Sequence, residues 1–332
     1  MDLKLLNPAA ISYYAAKGGQ QLALQWAKDN GYRCDANTCK FAAKKGNLKL
    51  LQWLRNEGCE WDHQTCDYAA AYGHFELLKW ARQHKCPYSL QTARNAAKTG
   101  HLEMLQWIMA DGCPIDHGVM ETAAEAGHME ILNWAQSHGC AIGGAMFVAV
   151  QSGRLEIVQY LYSIGCGWNS LACTLAARFG HFEVLKYLIS KGCPLDNSTI
   201  KEAIIAGHFE MFQWTMEQGC PEFPKIFEVA ARNGRLEILK YLKERGFVWK
   251  KEEKPLIDAT IGNHLDVIAW LLENGCEWDT YVCKLAVAEE HIEILQWAKE
   301  KELITLDEVF SHTKESKKAV LAWLRKNNFN CE

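Results

Sequence analysis

Histidine and cysteine recur in this chain at intervals that invite a metal. His74, His101, His128, His181 and His208 each follow a glycine, and His264 and His291 keep the same register after Asn263 and Glu290. Cysteine fills one recurring position at Cys59, Cys86, Cys113, Cys140, Cys166, Cys193, Cys220 and Cys276, and a second at Cys39, Cys66, Cys173 and Cys283. The densest grouping is Cys59, His63 and Cys66 in CEWDHQTC, with His74 close behind. Thiolate and imidazole at such short spacing are what a zinc site uses. The corresponding segments CGWNSLAC (166–173) and CEWDTYVC (276–283) lack the inner histidine, and a metal that maintains the fold would not be dropped so readily.

Aromatic residues form a third series. Trp26, Trp53, Trp80, Trp107, Trp134, Tyr160, Tyr187, Trp214, Tyr241, Trp270, Trp297 and Trp323 share one register. Helical RNA-reading repeats build stacking platforms for single-stranded bases in this way. Such platforms need a basic track beside them, whereas this chain places an acid at an adjoining register position, as in Glu76, Glu103 and Glu130. With 36 basic and 40 acidic residues and a pI near 6.3, the composition argues against a nonspecific phosphate binder. No phosphate-binding glycine loop, nucleophile elbow or Cys-x-x-Cys pair occurs, so no catalytic residue and no cofactor is expected. The longest uncharged apolar run, CAIGGAMFVAV (140–150), is too short for a membrane span, and MDLKLLNPAAISYY lacks secretory character. These features predict a cytoplasmic protein without membrane contact.

The spacing of all these residues comes from a repeat. Aligned on the glycine that precedes histidine, the frame runs Gly19, Gly46, Gly73, Gly100, Gly127, Gly153, Gly180, Gly207 and Gly234, then Asn263, Glu290 and Ser316, a step of about 27 residues. Apolar side chains follow the frame residue at helical spacing, with an acid in the first turn, where the helix dipole favours it. Gly31, Gly58, Gly112, Gly139, Gly165, Gly192, Gly219, Gly246 and Gly275 then stop that second helix. Asp35, Asp62, Ser89, Asp116, Asn169, Asp196 and Asp279 come next and are suited to cap the first helix of the following unit. That helix carries alanine four places before the frame, at Ala15, Ala42, Ala69, Ala96, Ala123, Ala149, Ala176, Ala203, Ala230, Ala259 and Ala286, so its backbone must meet its neighbours closely.

Each unit therefore reads as a helix–turn–helix hairpin that buries its apolar face only against the next. The predicted fold class is all-α, a solenoid of about twelve stacked hairpins spanning residues 1–332 with the terminal units as caps. Equivalent residues of stacked hairpins lie roughly 10 Å apart. The ligands of one metal lie about 3 to 4 Å apart, and a disulfide needs Cα atoms within about 7 Å. No metal and no ladder of bridges along a column is expected. The cysteines are predicted to be buried, reduced thiols, and the histidines to be hydrogen-bonding links between neighbouring turns.

The segments AAKTGHLEML (96–105), AAEAGHMEIL (123–132) and AARFGHFEVL (176–185) resemble the centre of the ankyrin repeat. The resemblance covers essentially the whole chain. It departs from the usual pattern in its period, 27 residues rather than about 33. The opening threonine–proline–leucine–histidine motif is also reduced, to forms such as TCKFAA (38–43) and TARNAA (92–97). In this the chain is similar to short-period ankyrin arrays of large DNA viruses and protists, which would place it in the host-cell cytoplasm if viral. The resemblance implies a non-catalytic scaffold that binds one or more partner proteins on a concave face lined by the first helices, with the β-turn finger mostly missing. A substrate adaptor of a ubiquitin ligase is one setting for such a scaffold. The alternative of another class is a helical-repeat binder of single-stranded RNA.

In a repeat array the fixed columns build the stack and the varying columns are open to another use. The varying ones lie on the first helix, two residues before and two after the alanine, a spacing that puts both on one face. They hold Lys40, Lys44, Asp67, Arg94, Lys98, Glu121, Phe147, Arg178, Lys201 and Ile205, with Tyr72 and Phe179 just before the frame glycine. These residues are the candidate protein-binding surface; an ordinary solvated face is the other reading of the same columns. Apolar, aromatic and arginine anchors concentrate at Phe147, Arg178, Phe179, Lys201 and Ile205. Lys28, Arg55 and Arg82, on second helices, are expected to face away.

Overall fold

A polar side chain caps many of the first helices, though not those that begin at Ala145, Ile226 and Pro255. Asp62, Asn169 and Asp279 accept from the amides of Gln64, Leu171 and Tyr281, and Asp196 accepts from Ser198 and Thr199. At Asp35 and Ser89 the bond is reciprocal, because the hydroxyls of Thr38 and Thr92 accept from the cap residue's own amide. Losing such a cap costs about 1 kcal/mol. Asp116 accepts from the Gly118 amide at 3.0 Å, but there the helix starts one residue later, after His117.

The computed structural model describes residues 21–30, 34–220, 224–250, 253–313 and 317–328. The expected frame positions Ala15, Gly19, Gly31 and Ser316 lie outside the described residues. Among the described residues are 23 α-helices and no strand. The chain divides into two compact units, Met1–Trp168 and Asn169–Glu332. In the first unit the helices are α1 (Gln21–Asp29), α2 (Ala36–Lys44), α3 (Leu48–Asn56), α4 (His63–Ala71), α5 (Phe75–Gln83), α6 (Leu90–Lys98), α7 (Leu102–Ala110), α8 (Gly118–Ala126), α9 (Met129–Ser137), α10 (Ala145–Gln151) and α11 (Leu155–Ser163). In the second they are α12 (Ser170–Phe179), α13 (Phe182–Ser190), α14 (Asn197–Ala206), α15 (Phe209–Glu217), α16 (Ile226–Arg232), α17 (Leu236–Glu244), α18 (Pro255–Ile261), α19 (Leu265–Glu273), α20 (Thr280–Ala288), α21 (Ile292–Glu300), α22 (Leu306–His312) and α23 (Lys318–Lys326).

Even-numbered helices are the first of each hairpin and odd-numbered ones the second. In the first unit α2, α4, α6, α8 and α10 pack side by side as one layer, and each packs on the odd-numbered helix that follows it. In the second unit α12, α14, α16, α18, α20 and α22 form the corresponding layer. Nine-residue helices are too short to hold alone in water, so tertiary packing must supply their stability. Ala42, Ala69, Ala96, Ala123 and Ala149, and in the second unit Ala176, Ala203, Ala230, Ala259 and Ala286, are all fully buried at 0% exposure. The second helices add Leu50, Leu51, Leu54, Leu77 and Leu78 and their counterparts, each burial contributing about 1.5–3 kcal/mol.

The aromatic register is part of this packing. Phe75 meets Trp107 edge to face at 5.7 Å, and Phe182 meets Trp214 in the same way at 5.6 Å. The second helix of one repeat thereby presents an aromatic ring to the aromatic column of the next. The frame residue adopts a left-handed conformation, as at Gly100 (φ 78°), and Asn263 (φ 59°) and Glu290 (φ 58°) hold the same turn without glycine. For a residue with a side chain that conformation costs about 1–2 kcal/mol.

In several repeats the main cysteine column ties the repeat to the loop before it. The thiols of Cys86, Cys193 and Cys220 donate to the carbonyls of the capping residues Asp62, Asn169 and Asp196 at 3.3, 3.3 and 3.4 Å. At Cys59 the expectation of a reduced thiol fails, because Cys34 and Cys59 form a disulfide with Cα atoms 5.4 Å apart. The reason is the same contact: Cys59 faces the loop around Asp35, and there the neighbouring residue is itself a cysteine. The bridge runs between columns, not along one, so the spacing argument against a ladder did not apply to it. Eleven other described cysteines are free thiols.

Candidate interaction surface

The repeated histidines are engaged within the stack. His74 Nε2 lies 3.3 Å from the Lys44 carbonyl, His128 Nε2 3.1 Å from that of Lys98, and His264 Nε2 3.1 Å from that of Arg232. In the tautomer with a proton on Nε2, each donates to the last turn of the preceding repeat's first helix, whose terminal carbonyls lack intrahelical partners. Where the register holds arginine the job is the same: Arg154 Nε donates to the Glu125 carbonyl at 3.3 Å, and Arg235 Nε to that of Ile204 at 3.1 Å. The preceding frame glycine makes room for the ring. A Cβ on Gly100 would sit 2.7 Å from the His128 ring, and one on Gly46 2.6 Å from the His74 ring. Where the frame residue is Asn263, the next histidine, His291, has a buried Nε2 without a hydrogen-bond partner.

The zinc-like grouping does not converge. Cys59 is bridged to Cys34, His63 lies 4.0 Å from an Asp67 carboxylate oxygen, and the Cys66 thiol points to the Cys86 carbonyl at 3.9 Å. No group of three histidine, cysteine or acidic side chains suited to a metal occurs among the described residues.

On the first-helix layer of the first unit, Asp67, Arg94 and Glu121 depart from the expectation of a free surface. Asp67 is 7% exposed and accepts from the hydroxyls of Ser89 (2.7 Å) and Thr92 (2.5 Å). Arg94 Nε donates to Asp116 at 3.1 Å, with its Nη2 on the other carboxylate oxygen. Glu121 accepts from the Gly144 amide at 2.7 Å. Each reaches the helix start of the next repeat, where a free amide, a hydroxyl or a capping carboxylate awaits a partner. This column varies in charge because what it must meet varies.

Around them stand side chains that the stack does not absorb. Tyr72 is 49% exposed and stacks on Tyr68 with ring centroids 6.2 Å apart. The ammonium of Lys40 lies 5.8 Å from the Tyr68 ring and donates to Asn37 Oδ1 at 2.8 Å, and that of Lys44 lies 5.3 Å from the Tyr72 ring. Lys98 is exposed and Phe147 half-buried.

In the second unit Arg178 forms a bidentate pair with Glu202, both bonds 3.0 Å. Arg232 also pairs with the next repeat's carboxylate, but its Nε and Nη2 converge on one oxygen, Asp258 Oδ1, at 2.7 and 2.6 Å. Phe179 is 43% exposed and stacks on His181. Lys201 is exposed and Ile205 half-buried on the neighbouring helix α14. Of the five anchors the sequence grouped together, Phe147 belongs to the first unit and the other four to the second. Tyr68, Glu202 and Asp258 were not singled out by sequence; all three stand five residues before a frame position, one place off the columns that vary most.

Two second-helix arginines are also engaged. Arg55 stacks on Trp61 at 4.3 Å and donates to the Cys59 carbonyl, and Arg82 stacks on Tyr88 at 3.8 Å and pairs with Asp111 at 2.8 Å. A cleft of about 570 Å³ lies on the loop side of the second unit, between Trp249, Lys254, Trp278 and Asp279. Its only thiol, Cys276, is pushed up to about 11 by burial, which keeps it protonated and weakly nucleophilic.

Residues 66–109 match the family model described as ankyrin repeats (many copies), and residues 146–222 the one described as ankyrin repeats (3 copies). These two segments are similar to ankyrin repeats. The crystal structure of the human ASB11 ankyrin repeat domain is similar to this chain at 19% identity, with a TM-score of 0.40, covering 47% of this chain and 84% of that one. No curated protein matches the sequence. Ankyrin repeats in general mediate contacts between proteins and are typically non-catalytic. The two ankyrin segments contain Asp67, Tyr72, Arg94 and Lys98, and Phe147, Arg178, Phe179, Lys201 and Ile205 respectively. No helix among the described residues is long and apolar enough to cross a membrane.

Proposed function

We propose that this chain is a non-catalytic scaffold that binds a partner protein through the exposed side of its first-helix layers. One observation carries the reading. At one and the same register position on the first-helix layers, Tyr72 and Phe179 hold large aromatic rings that are nearly half exposed. Exposed rings on a rigid layer are what interface anchors are made of. The general role of ankyrin repeats supports the same reading, and the register that runs through residues 1–332 supports treating the chain as one array. Eleven free thiols against the one Cys34–Cys59 bridge among the described residues favour a reducing compartment, and on that balance we assign the protein to the cytoplasm.

The test is affinity capture from the native cell followed by mass spectrometry, using variants matched for thermal stability. Tyr72→Ser, Phe179→Ser and Ile205→Ser together should abolish capture of the principal partner. Gln106→Ala and Lys240→Ala, at exposed positions of second helices, should leave it intact. The reverse pattern would assign the partner to the second-helix side and refute the reading.

A further inference from the structure

We infer that the layer formed by α2, α4 and α6 is a docking surface for an acidic, aromatic-containing segment of a partner protein. This rests on the protein-binding reading above and adds the chemistry of what is bound. The three helices with their cap residues carry five basic side chains, Lys40, Lys44, Lys45, Arg94 and Lys98; Asp35 and Asp62 are engaged as N-terminal caps, and the one carboxylate within the helices is Asp67. That carboxylate is buried and turned inward onto Ser89 and Thr92, so it does not offset the charge outside. Arg94 is neutralised by Asp116, and the positive charge the argument uses is that of Lys40 and Lys98. No ion pair joins Lys40 or Lys98 to a carboxylate among the described residues. A local positive field of this kind stands out in a chain whose net charge is −4.

The aromatic half of the surface is equally specific. Tyr68 and Tyr72 stack with their planes 8° apart, and the ammonium of Lys44 lies 6.0 Å from the first ring and 5.3 Å from the second. A carboxylate can thus meet an ammonium while an adjoining aromatic side chain lies along the exposed Tyr72 ring. Three helices at roughly 10 Å spacing span about 20 Å, the reach of roughly six extended residues. Single-stranded nucleic acid also offers anions and stacking faces, but the basic stretch ends at α6. Helix α8 carries Glu121 and Glu125 without a basic residue, and α10 carries no charge at all. A backbone of phosphates needs a longer basic track than this, whereas a short acidic peptide does not.

The experiment is fluorescence anisotropy with the full chain and a fluorescein-labelled peptide of alternating glutamate and tyrosine. Comparators are the same peptide with lysine for glutamate, and labelled oligouridylate. The glutamate peptide should bind, and binding should weaken with added salt. The Lys40→Glu/Lys44→Glu variant should bind about tenfold more weakly or worse, since each reversal replaces an attraction by a repulsion. Tyr72→Ala, which leaves the charges in place, should also weaken binding, and Lys240→Glu on α17 should not. No binding of the glutamate peptide, equal binding of the lysine peptide, or insensitivity to the lysine reversals would overturn the inference; saturable binding of oligouridylate alone would replace it with a nucleic-acid site. If partner capture is lost with Phe179→Ser/Ile205→Ser but is indifferent to Lys40→Glu/Lys44→Glu, this inference fails while the protein-binding reading stands.

Discussion

Gly100 and His128 are distant in sequence yet serve one contact: the glycine gives the ring space, and the ring caps the helix that the glycine ends. Gly100→Ala should therefore be costly twice over, by about 1–2 kcal/mol for a side chain at φ 78° and by the collision with the imidazole. The second part is separable. In a thermal-melt double-mutant cycle, adding His128→Ala to Gly100→Ala should recover part of the loss, and strict additivity would deny the contact. The ion pair of Arg94 and Asp116 makes a prediction in pH. Hydrogen bonding to the Arg94 guanidinium, with further help from the Gly118 amide, holds the Asp116 carboxyl below the usual carboxylate range. A depressed pKa of this kind stabilises the fold above the unfolded carboxylate value, about 4, and the benefit is lost as pH falls through the folded value. Asp116→Asn should thus melt earlier than the parent at neutral pH, with the gap closing in strong acid. A gap that is constant with pH would assign the effect to packing.

At the scale of the helix, much of the architecture could be read from sequence because the repeat prints the same rule many times. Asp35, Ser89 and Asn169 announce helix starts, and the alanine column announces close backbones. Ala96→Leu, inserted into a fully buried position between α4 and α8, should destabilise by about 1–3 kcal/mol through overpacking; an unchanged melting temperature would show that the layer is looser than described. What could not be read were links between helices that depend on which side chain faces which. Asp67, Arg94 and Glu121 look like free surface in sequence, and only the positions of Ser89, Asp116 and the Gly144 amide show them to be fasteners. The Cys34–Cys59 bridge escaped for a related reason, since it joins two different columns. Closing a loop with a sequence separation of 25 contributes about 3.5 kcal/mol in the chain-entropy account. Reductant should accordingly lower the melting temperature of the parent protein and leave Cys34→Ser unmoved; equal sensitivity of the two would place the effect elsewhere.

For the molecule as a whole, the recurrent Gly, His and Cys columns are the means by which one repeat grips the next, and none needs a metal to do so. A chelator should leave both helical circular dichroism and the melting temperature unchanged, and a large fall with zinc recovered from the untreated protein would reverse the reading of Cys59, His63 and Cys66. The central claim divides each repeat between columns that hold the stack and side chains that meet a partner. Its most direct test is to measure melting temperature and partner capture together on two variants. His74→Ala/His128→Ala should lower the melting temperature while leaving capture by the folded protein intact, whereas Tyr72→Ser/Phe179→Ser should abolish capture at an unchanged melting temperature. Loss of capture in the folded histidine variant, with capture retained in the aromatic one, would contradict the account.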